Sequence, residues 1–278
     1  MNVFRCGLPG TGALLALCAA LLFNASAHAQ TPVPATLRIA IVPDYPPLEF
    51  KDPATNELTG FDHDLGVELA KRLGATPTWQ ETSFDQMISA LETNRVDLIL
   101  SAMTDLPERR EHVTFVDYMK SGPQFYVQKV RAKEFGSLLA LCGKQVGANR
   151  RSAWPDDVAA WSSANCVHAN LPAVVVIGTN GSADARLQLR QGRLDAAVQG
   201  GETLDYLNDK DDHAYQTLGT PIHWRYNGIG IAKDNPALTK RVSDALTQML
   251  ADGTYARLLA HWNLQPFGIA KVGINGKE

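Results

Sequence analysis

The chain has 278 residues, of which 45% are hydrophobic and 20% are charged, and its formal net charge at pH 7 is -3. This composition is typical of a soluble globular protein with one large or two small domains. Nucleic acid is not an expected partner, because the charge is slightly acidic and no basic cluster is longer than a pair such as Arg150-Arg151.

The first 29 residues have the pattern of a secretory signal peptide. Arg5 is the only formally charged residue before the apolar run at 13–23, and Ala27 and Ala29 occupy the small positions of an A-x-A cleavage site. The run is shorter than the roughly 20 residues of a membrane-spanning helix. The alternative, a buried helix of the fold, is disfavoured by the stretch QTPVPAT that follows. We therefore predict export to the periplasm and cleavage after Ala29.

Two cysteines remain after this cleavage, Cys142 and Cys166. A single remaining pair in an exported protein is expected to form a disulfide, and the alternative is two buried free thiols. Closing a loop of this size stabilises a folded chain by about 3 kcal/mol.

Strands and helices are predicted to alternate along the mature chain, as in an α/β fold with mainly parallel sheets. Strands are indicated by β-branched and apolar runs, and helices by apolar residues that recur every three or four positions. Ser83 and Gln86 match a capping box, and Gly74 and Asn235 match a helix end and a helix start. The predicted strands cover residues 36–42, 76–82, 96–100, 125–130, 145–148, 174–177, 215–218 and 228–232, and the predicted helices 61–73, 83–93, 135–141, 156–164, 235–252 and 255–262.

One pattern occurs twice. The segments MISALETNRVDLIL (87–100) and ARLQLRQGRLDAAV (185–198) each indicate a helix, a short polar turn and an apolar strand. The repeat suggests two similar α/β lobes, each with its own sheet.

Polar side chains follow the strand at 96–100. Ser101 and Thr104 lie at its carboxyl end, where open α/β sheets bind ligands. Residues 105–108 match a helix start, whose free N–H groups attract anions. Arg109 adds a planar fork that suits a carboxylate. Together these groups predict a carboxylate pocket, and the alternative is a solvated arginine in a capped surface helix.

Aromatic side chains follow two other predicted strands. Tyr45 comes after the first strand, where Pro46-Pro47 impose a non-helical turn, and Phe84 comes after the second. Two aromatic faces beside a carboxylate pocket predict a slot for a small organic acid. The alternative is that each ring belongs to the core.

Four segments of the mature chain are LRIAIVPDYPPLEF, ELTGFDHDLGVELAKRLG, SFDQMISALETNRVDLILSAMTDLPERREHVTF and DGTYARLLAHWNL. In this order they resemble the family 3 extracellular solute-binding proteins, the polar amino-acid receptors of ABC importers. The resemblance implies a two-lobed periplasmic-binding-protein fold, a type II-like clamshell in which each lobe is a sheet flanked by helices and two hinge strands cross between lobes. It places lobe I at 36–122 plus 224–278 and lobe II at 123–223.

The resemblance also implies roles for individual residues. Tyr45 and Phe84 would sandwich the ligand side chain, and Arg109 would clamp the ligand carboxylate. From the second lobe, Ser152 would hold the other side of that carboxylate, although Arg151 stands before it where the family has glycine.

At the strand end, Ser101, the Ala102 backbone and Thr104 would bind the α-amino or carboxylate groups of the ligand. The family pairs the ligand ammonium with an acid, and the matching position here is Gly200. A buried ammonium needs a compensating acceptor. We therefore expect a ligand without a free α-ammonium, or one held by a different acid, of which Glu202 is nearest in sequence.

The predicted function is that of a monomeric exported receptor, which captures a small carboxylate-bearing solute by lobe closure and presents it to an ABC permease. No cofactor or metal is implied, because the histidines are scattered. One alternative is a periplasmic lyase or dehydratase on the same scaffold. A raised pKa of Glu202 inside the cleft favours the enzyme, and a solvent-facing Glu202, the preferred interpretation, favours the receptor. Another alternative is a sensory or accessory domain.

Overall fold

A computed structural model of the protein describes residues 1–3 and 35–277. Apart from its first three residues, the predicted signal peptide lies outside the described residues. Residues 35–277 belong to one compact unit, and no helix of the described residues is long and apolar enough to cross a bilayer. The strands are β1 (Thr36–Ile41), β2 (Asp44–Tyr45), β3 (Glu49–Lys51), β4 (Leu58–Thr59), β5 (Thr76–Glu81), β6 (Leu98–Ile99), β7 (Val113–Ser121), β8 (Pro123–Gln128), β9 (Gln145–Asn149), β10 (Val175–Thr179), β11 (Ala196–Gly200), β12 (Tyr215–Leu218), β13 (Arg225–Ala232) and β14 (Gly273–Ile274). The α-helices are α1 (Phe61–Leu73), α2 (Met87–Glu92), α3 (Trp154–Asn165), α4 (Ser182–Arg190), α5 (Leu204–Lys210), α6 (Pro236–Ala251) and α7 (Thr254–His261).

Two mixed sheets organise these elements. The six-stranded sheet has the order β14-β7-β13-β6-β1-β5, and the five-stranded sheet has the order β10-β9-β11-β8-β12. In the first, β1 pairs in parallel with β5 and β6, whereas β13 runs antiparallel to β6 and β7. The prediction of mainly parallel sheets is therefore wrong. The chain leaves the first sheet along β7 and returns to it along β13, so these neighbouring strands must run in opposite directions.

The chain passes between the sheets twice, at Gly122 and at residues 219–224. The two passages touch, because the N–H of Ile222 donates to the carbonyl of Pro123 at 2.8 Å. A Cβ at Gly122 would lie only 2.8 Å from the Cβ of Pro221, so this close approach requires glycine. The strands of each sheet come from the chain segments that the resemblance assigns to one lobe, but the lobe boundaries stay a prediction.

Helices cover both faces of each sheet. Successive strand residues point to opposite faces, so Ile39 packs in a core with α1, α6 and α7, while Ala40 packs in a core with α2. In the five-stranded sheet, Ala196 shares a core with α3, and Ala197 shares one with α4 and α5. This arrangement confirms the predicted α/β fold with two helix-flanked sheets.

The structure confirms two of the predicted helix boundaries and contradicts the predicted capping box. Gly74 ends α1 with a left-handed φ of 73°, and the side chain of Asn235 caps α6 by accepting from the N–H of Leu238, as predicted. Ser83 makes no capping bond, so the predicted capping box is wrong.

The helix predicted at 135–141 is also wrong. The chain there forms two 3-10 turns, Lys129–Phe135 and Leu138–Leu141, which are separated at Gly136. Glycine weakens a continuous helix because it has the greatest backbone freedom to lose.

Cys142 and Cys166 form the predicted disulfide, with their Cα atoms 5.5 Å apart and a sequence separation of 24. The bond joins the end of the turn Leu138–Leu141 to the end of α3. It therefore fastens two elements that lie on one side of the five-stranded sheet.

We expect the double variant Cys142→Ala/Cys166→Ala to lose about 3 kcal/mol of unfolding free energy, because the unfolded chain regains the freedom of the open loop. Urea unfolding of the oxidised protein measures this loss, and the reduced wild-type protein serves as the control. Equal midpoints for the oxidised wild type and the double variant would contradict the prediction.

Candidate functional site

A cleft that is partly open to solvent is lined by residues that follow strands of both sheets. Its wall contains most of the predicted ligand contacts: Tyr45, Phe84, Ser101, Ala102, Thr104, Arg109 and Ser152. Gly200 lies at its edge, where its N–H donates to the Tyr45 hydroxyl at 3.2 Å. The structure thus brings the predicted residues together, and their binding roles remain a prediction.

Arg109 reaches the cleft without the predicted helix. Residues 105–108 do not begin an α-helix, and only a 3-10 turn forms at Arg109–Glu111. The expected N-terminal cap fails because the Asp105 carboxylate is occupied by the Arg110 guanidinium, whose Nη2 lies 2.9 Å from Oδ2. An anion site made by a helix N-terminus is therefore excluded at this place.

The Arg109 guanidinium is held in position by two neighbours. Its Nη1 donates to the Thr104 carbonyl at 2.9 Å, and its central carbon lies 5.3 Å from the centre of the Phe84 ring. Burial lowers the pKa of Arg109 from its ordinary value. No carboxylate among residues 1–3 and 35–277 lies within salt-bridge distance of it. Arg109 is half-buried, and a partly desolvated cation without a counterion attracts an anionic ligand group.

The strand end beside Arg109 is fixed from behind. The Ser101 hydroxyl donates to Glu49 Oε1 at 2.9 Å and accepts from the N–H of Val42 at 3.1 Å. The N–H of Ala102 donates to Asp62 Oδ2 at 2.9 Å, and Ala102 has a left-handed φ of 47°. Because this N–H is already paired, a ligand contact through the Ala102 backbone has to use its carbonyl oxygen.

Glu49 and Asp62 form a buried acid pair that the sequence analysis missed. They are 2% and 0% exposed, and Glu49 lines the cleft. Burial and the charge of Asp62 raise the pKa of Glu49 well above its ordinary range, and burial raises the pKa of Asp62 to about 6. Glu49 Oε2 and Asp62 Oδ1 are buried without another partner. We infer that the two carboxyl groups share one proton, which would give these oxygens a partner.

We expect Glu49→Gln to stabilise the protein increasingly as pH rises from 5 to 8. An acid whose folded-state pKa is raised contributes stability that is present below its unfolded pKa and is lost as pH rises through the folded pKa. Glutamine keeps the neutral form at every pH. Urea unfolding at several pH values measures the difference, with Glu57→Gln in an exposed turn as the control. A Glu49→Gln variant that is less stable than wild type at pH 8 would refute the shared proton.

Glu202 is buried, which corrects the preferred interpretation of a surface glutamate. It is 3% exposed and lines the cleft. Its Oε2 accepts from the Ser121 hydroxyl at 2.7 Å, and its Oε1 accepts from the Tyr45 hydroxyl at 3.2 Å. Burial raises the pKa of Glu202 to about 7.

Tyr45 and Phe84 both line the cleft, and their sandwich around a ligand side chain stays a prediction. The Tyr45 ring lies 6.2 Å from that of Trp154, a cleft residue that the sequence analysis did not single out, and Phe84 lies beside Arg109. Tyr45 therefore joins the two sides of the cleft through its ring and its hydroxyl.

The loop after β9 brings Ser152 and Arg151 to the cleft. The Ser152 hydroxyl donates to the Asn149 carbonyl at 2.8 Å and accepts from the N–H of Trp154 at 3.2 Å. Arg151 faces Asp85 at 3.9 Å, whereas Arg150 turns to the Gly178 carbonyl at 3.2 Å. Of the two arginines, Arg151 is the one that adds positive charge to the cleft.

Comparisons with known proteins identify relatives of the chain. The family described as bacterial extracellular solute-binding proteins, family 3, matches residues 37–265. The L-arginine-binding protein of Pseudomonas aeruginosa is 30% identical over 251 residues, covering 88% of this chain and 94% of that protein. The structure of an ancestral arginine-binding protein bound to arginine matches with a TM-score of 0.71 and 30% identity, over 82% of this chain and 98% of that one.

A second solved structure extends the comparison. It is an ancestral amino acid-binding protein described as a precursor of cyclohexadienyl dehydratase, and it matches with a TM-score of 0.68 and 30% identity over 82% of this chain and 95% of that one. The match to the family covers both sheets apart from the edge strand β14, and it covers every residue that lines the cleft. The chain therefore belongs to family 3 of the bacterial extracellular solute-binding proteins.

Proposed function

We propose that the protein is the periplasmic substrate-binding component of an ABC importer, and that it captures a small carboxylate-bearing solute, an amino acid or a related organic acid. The observation that carries the proposal is the half-buried Arg109 guanidinium, which lies in the cleft without a carboxylate partner among the described residues. A bidentate carboxylate is the ligand group that best fits such a planar fork. The amino-acid ligands named for the similar proteins support this class.

Closure is the proposed mechanism. The cleft takes Arg109 and Ser101 from the six-stranded sheet and Ser152 and Glu202 from loops of the five-stranded sheet. A ligand that touches both groups stabilises the closed arrangement over the open one, because its contacts exist only when both sheets are near. The protein then acts as a monomer after export and cleavage behind Ala29, and presents the closed form to its permease.

A thermal-shift screen tests the proposal. The panel contains the twenty amino acids, their deaminated and N-acylated forms, dicarboxylic acids, and amines that lack a carboxylate. We expect a subset of the acids to raise the Tm of the wild-type protein and to leave that of Arg109→Ala unchanged. A panel in which no acid raises the Tm, or in which amines without a carboxylate do so equally well, would contradict it.

A second candidate function is an acid-assisted elimination, favoured by the position of Glu202 in the cleft with a pKa of about 7. A protonated Glu202 would give its proton to a leaving hydroxyl, the C–O bond would break, and water would leave. The electron pair for the new double bond would come from a neighbouring C–H or C–carboxylate bond, which releases a proton or carbon dioxide.

Turnover separates the two candidates. Each acid that raises the Tm is incubated with the protein, and its NMR spectrum is followed for hours. An unchanged spectrum supports the receptor. Conversion to a dehydrated product that is lost in Glu202→Gln supports the enzyme.

A further inference from the structure

The carboxyl group of Glu202 fills the space that a side chain at Gly200 would occupy. A Cβ at Gly200 would lie 2.6 Å from Glu202 Cδ and 2.5 Å from the Tyr45 hydroxyl oxygen, too close for any real side chain. The 3-10 turn Gly201–Thr203 folds Glu202 back toward the end of β11. The carboxyl group of Glu202, two residues further along the chain, therefore occupies the space of the missing side chain at position 200.

This carboxyl group is held by neutral donors and has no cation beside it. Its two partners are the hydroxyls of Tyr45 and Ser121, and no lysine, arginine or histidine among the described residues forms a salt bridge with it. The titratable or charged groups that share the cleft or lie behind it are Tyr45, Asp44, Glu49, Asp62, Arg109 and Arg151. The charge of Asp62 opposes the ionisation of Glu202. An ionised Glu202 would therefore lack a compensating positive charge among the described residues.

The Arg109 guanidinium, in contrast, has no negatively charged partner among the described residues. One solute satisfies both sites when it carries a carboxylate and a protonated amine. We propose that Glu202 is the acceptor for the protonated amine of the ligand, and that binding drives the proton of Glu202 into solvent. This inference rests on the proposed function, because it assumes that Arg109 holds the carboxylate of the same ligand.

The affinity for an amino acid is expected to depend on pH. Burial raises the pKa of Glu202 to about 7, so only a fraction of the protein holds the ionised form below neutral pH. The apparent dissociation constant is the intrinsic one divided by that competent fraction. Between pH 8 and pH 5.5 the affinity for an amino acid is expected to fall by about 30-fold, and the number of protons released on binding to rise from near zero to near one.

Calorimetry at pH 5.5, 6.5 and 8, in pairs of buffers with different ionisation enthalpies, measures both quantities. The probe is whichever of L-arginine, L-lysine, L-histidine and L-glutamine gives the largest thermal shift. In Glu202→Gln we expect weaker binding at pH 8, no proton release and an affinity that no longer changes between pH 5.5 and 8. Glu57→Gln, on an exposed turn outside the cleft, should behave as the wild type.

Glu49→Gln tests whether the released proton comes from Glu49 instead of Glu202, because Glu49 is the other buried acid that lines the cleft. Proton release that persists in Glu202→Gln and disappears in Glu49→Gln overturns the inference. It is also overturned if a deaminated acid binds as tightly as its amino acid, or if affinity is independent of pH while Arg109→Ala still abolishes binding; in both cases the proposed receptor function stands. If no acid binds at all, the proposed function fails as well.

Discussion

Arg109→Ala is expected to weaken ligand binding by about 2–5 kcal/mol, which corresponds to a loss of roughly 30- to 5,000-fold in affinity. The alanine variant leaves the ligand carboxylate in the cleft without its fork of donors. Most of the loss should be in faster release, because the contact forms only after the ligand has entered. Arg109→Lys should recover little affinity, since a point charge cannot bind both carboxylate oxygens as a planar guanidinium does.

The measurement is calorimetry, together with stopped-flow release, using an acid identified in the thermal-shift screen. Arg95→Ala is the matched control, because Arg95 is exposed and its side chain bonds only to the hydroxyls of Thr93 and Ser89. Unchanged affinity in Arg109→Ala, with the protein folded, would mean that the carboxylate is held elsewhere. In that case the residues that follow β6 do not form the carboxylate site.

Asp62→Ala is expected to lower the free energy of unfolding by about 3–5 kcal/mol, because it removes the acceptor at the centre of a buried polar network. Asp62 Oδ2 accepts from the N–H of Ala102 and from the Tyr118 hydroxyl, each at 2.9 Å. Alanine leaves the Tyr118 hydroxyl without this acceptor and leaves the N–H of Ala102 with its longer bond to the Tyr118 oxygen at 3.2 Å, and Glu49 loses the neighbouring carboxyl group. Ala102 also loses the shorter of the two bonds that hold its left-handed backbone, so ligand affinity should fall with stability.

Urea unfolding at pH 6 measures the stability loss. Asp62→Asn is the appropriate comparison, because asparagine keeps one acceptor oxygen for these donors and offers a donor toward Glu49. We expect it to lose less than half as much as Asp62→Ala. If the two variants are equally destabilised, volume rather than hydrogen bonding is responsible, and an Asp62→Ala variant as stable as wild type would remove the network from the account.

Features encoded by neighbouring residues could be predicted from the sequence. The helix at Phe61–Leu73 follows from its apolar spacing and from the glycine that ends it, and its bounds agree with the prediction. The position of Arg109 in the cleft follows from its place just after a buried strand. The predicted helix start before it was wrong because the side chain of Asp105 pairs with Arg110 rather than with the backbone, a choice that the sequence pattern does not fix.

Features that depend on distant contacts could not be predicted. Glu202 is buried because the gap at Gly200 admits its carboxyl group and because Tyr45, 157 residues earlier, provides a hydroxyl. Glu49 and Asp62 meet only after β3 and α1 have packed, so neither stands out in the sequence. The mixed sheets likewise depend on where the chain leaves the first sheet and returns to it.

The most direct test of the central claim is native mass spectrometry of the protein freshly purified from the periplasm under non-denaturing conditions. We expect one small-molecule adduct per monomer, of a mass that matches a carboxylic acid bearing an amine, and its absence from Arg109→Ala prepared in parallel. We also expect the same compound to be released unchanged when the protein is denatured. An adduct that persists in Arg109→Ala, or a molecule without a carboxylate, would show that Arg109 does not hold a ligand carboxylate.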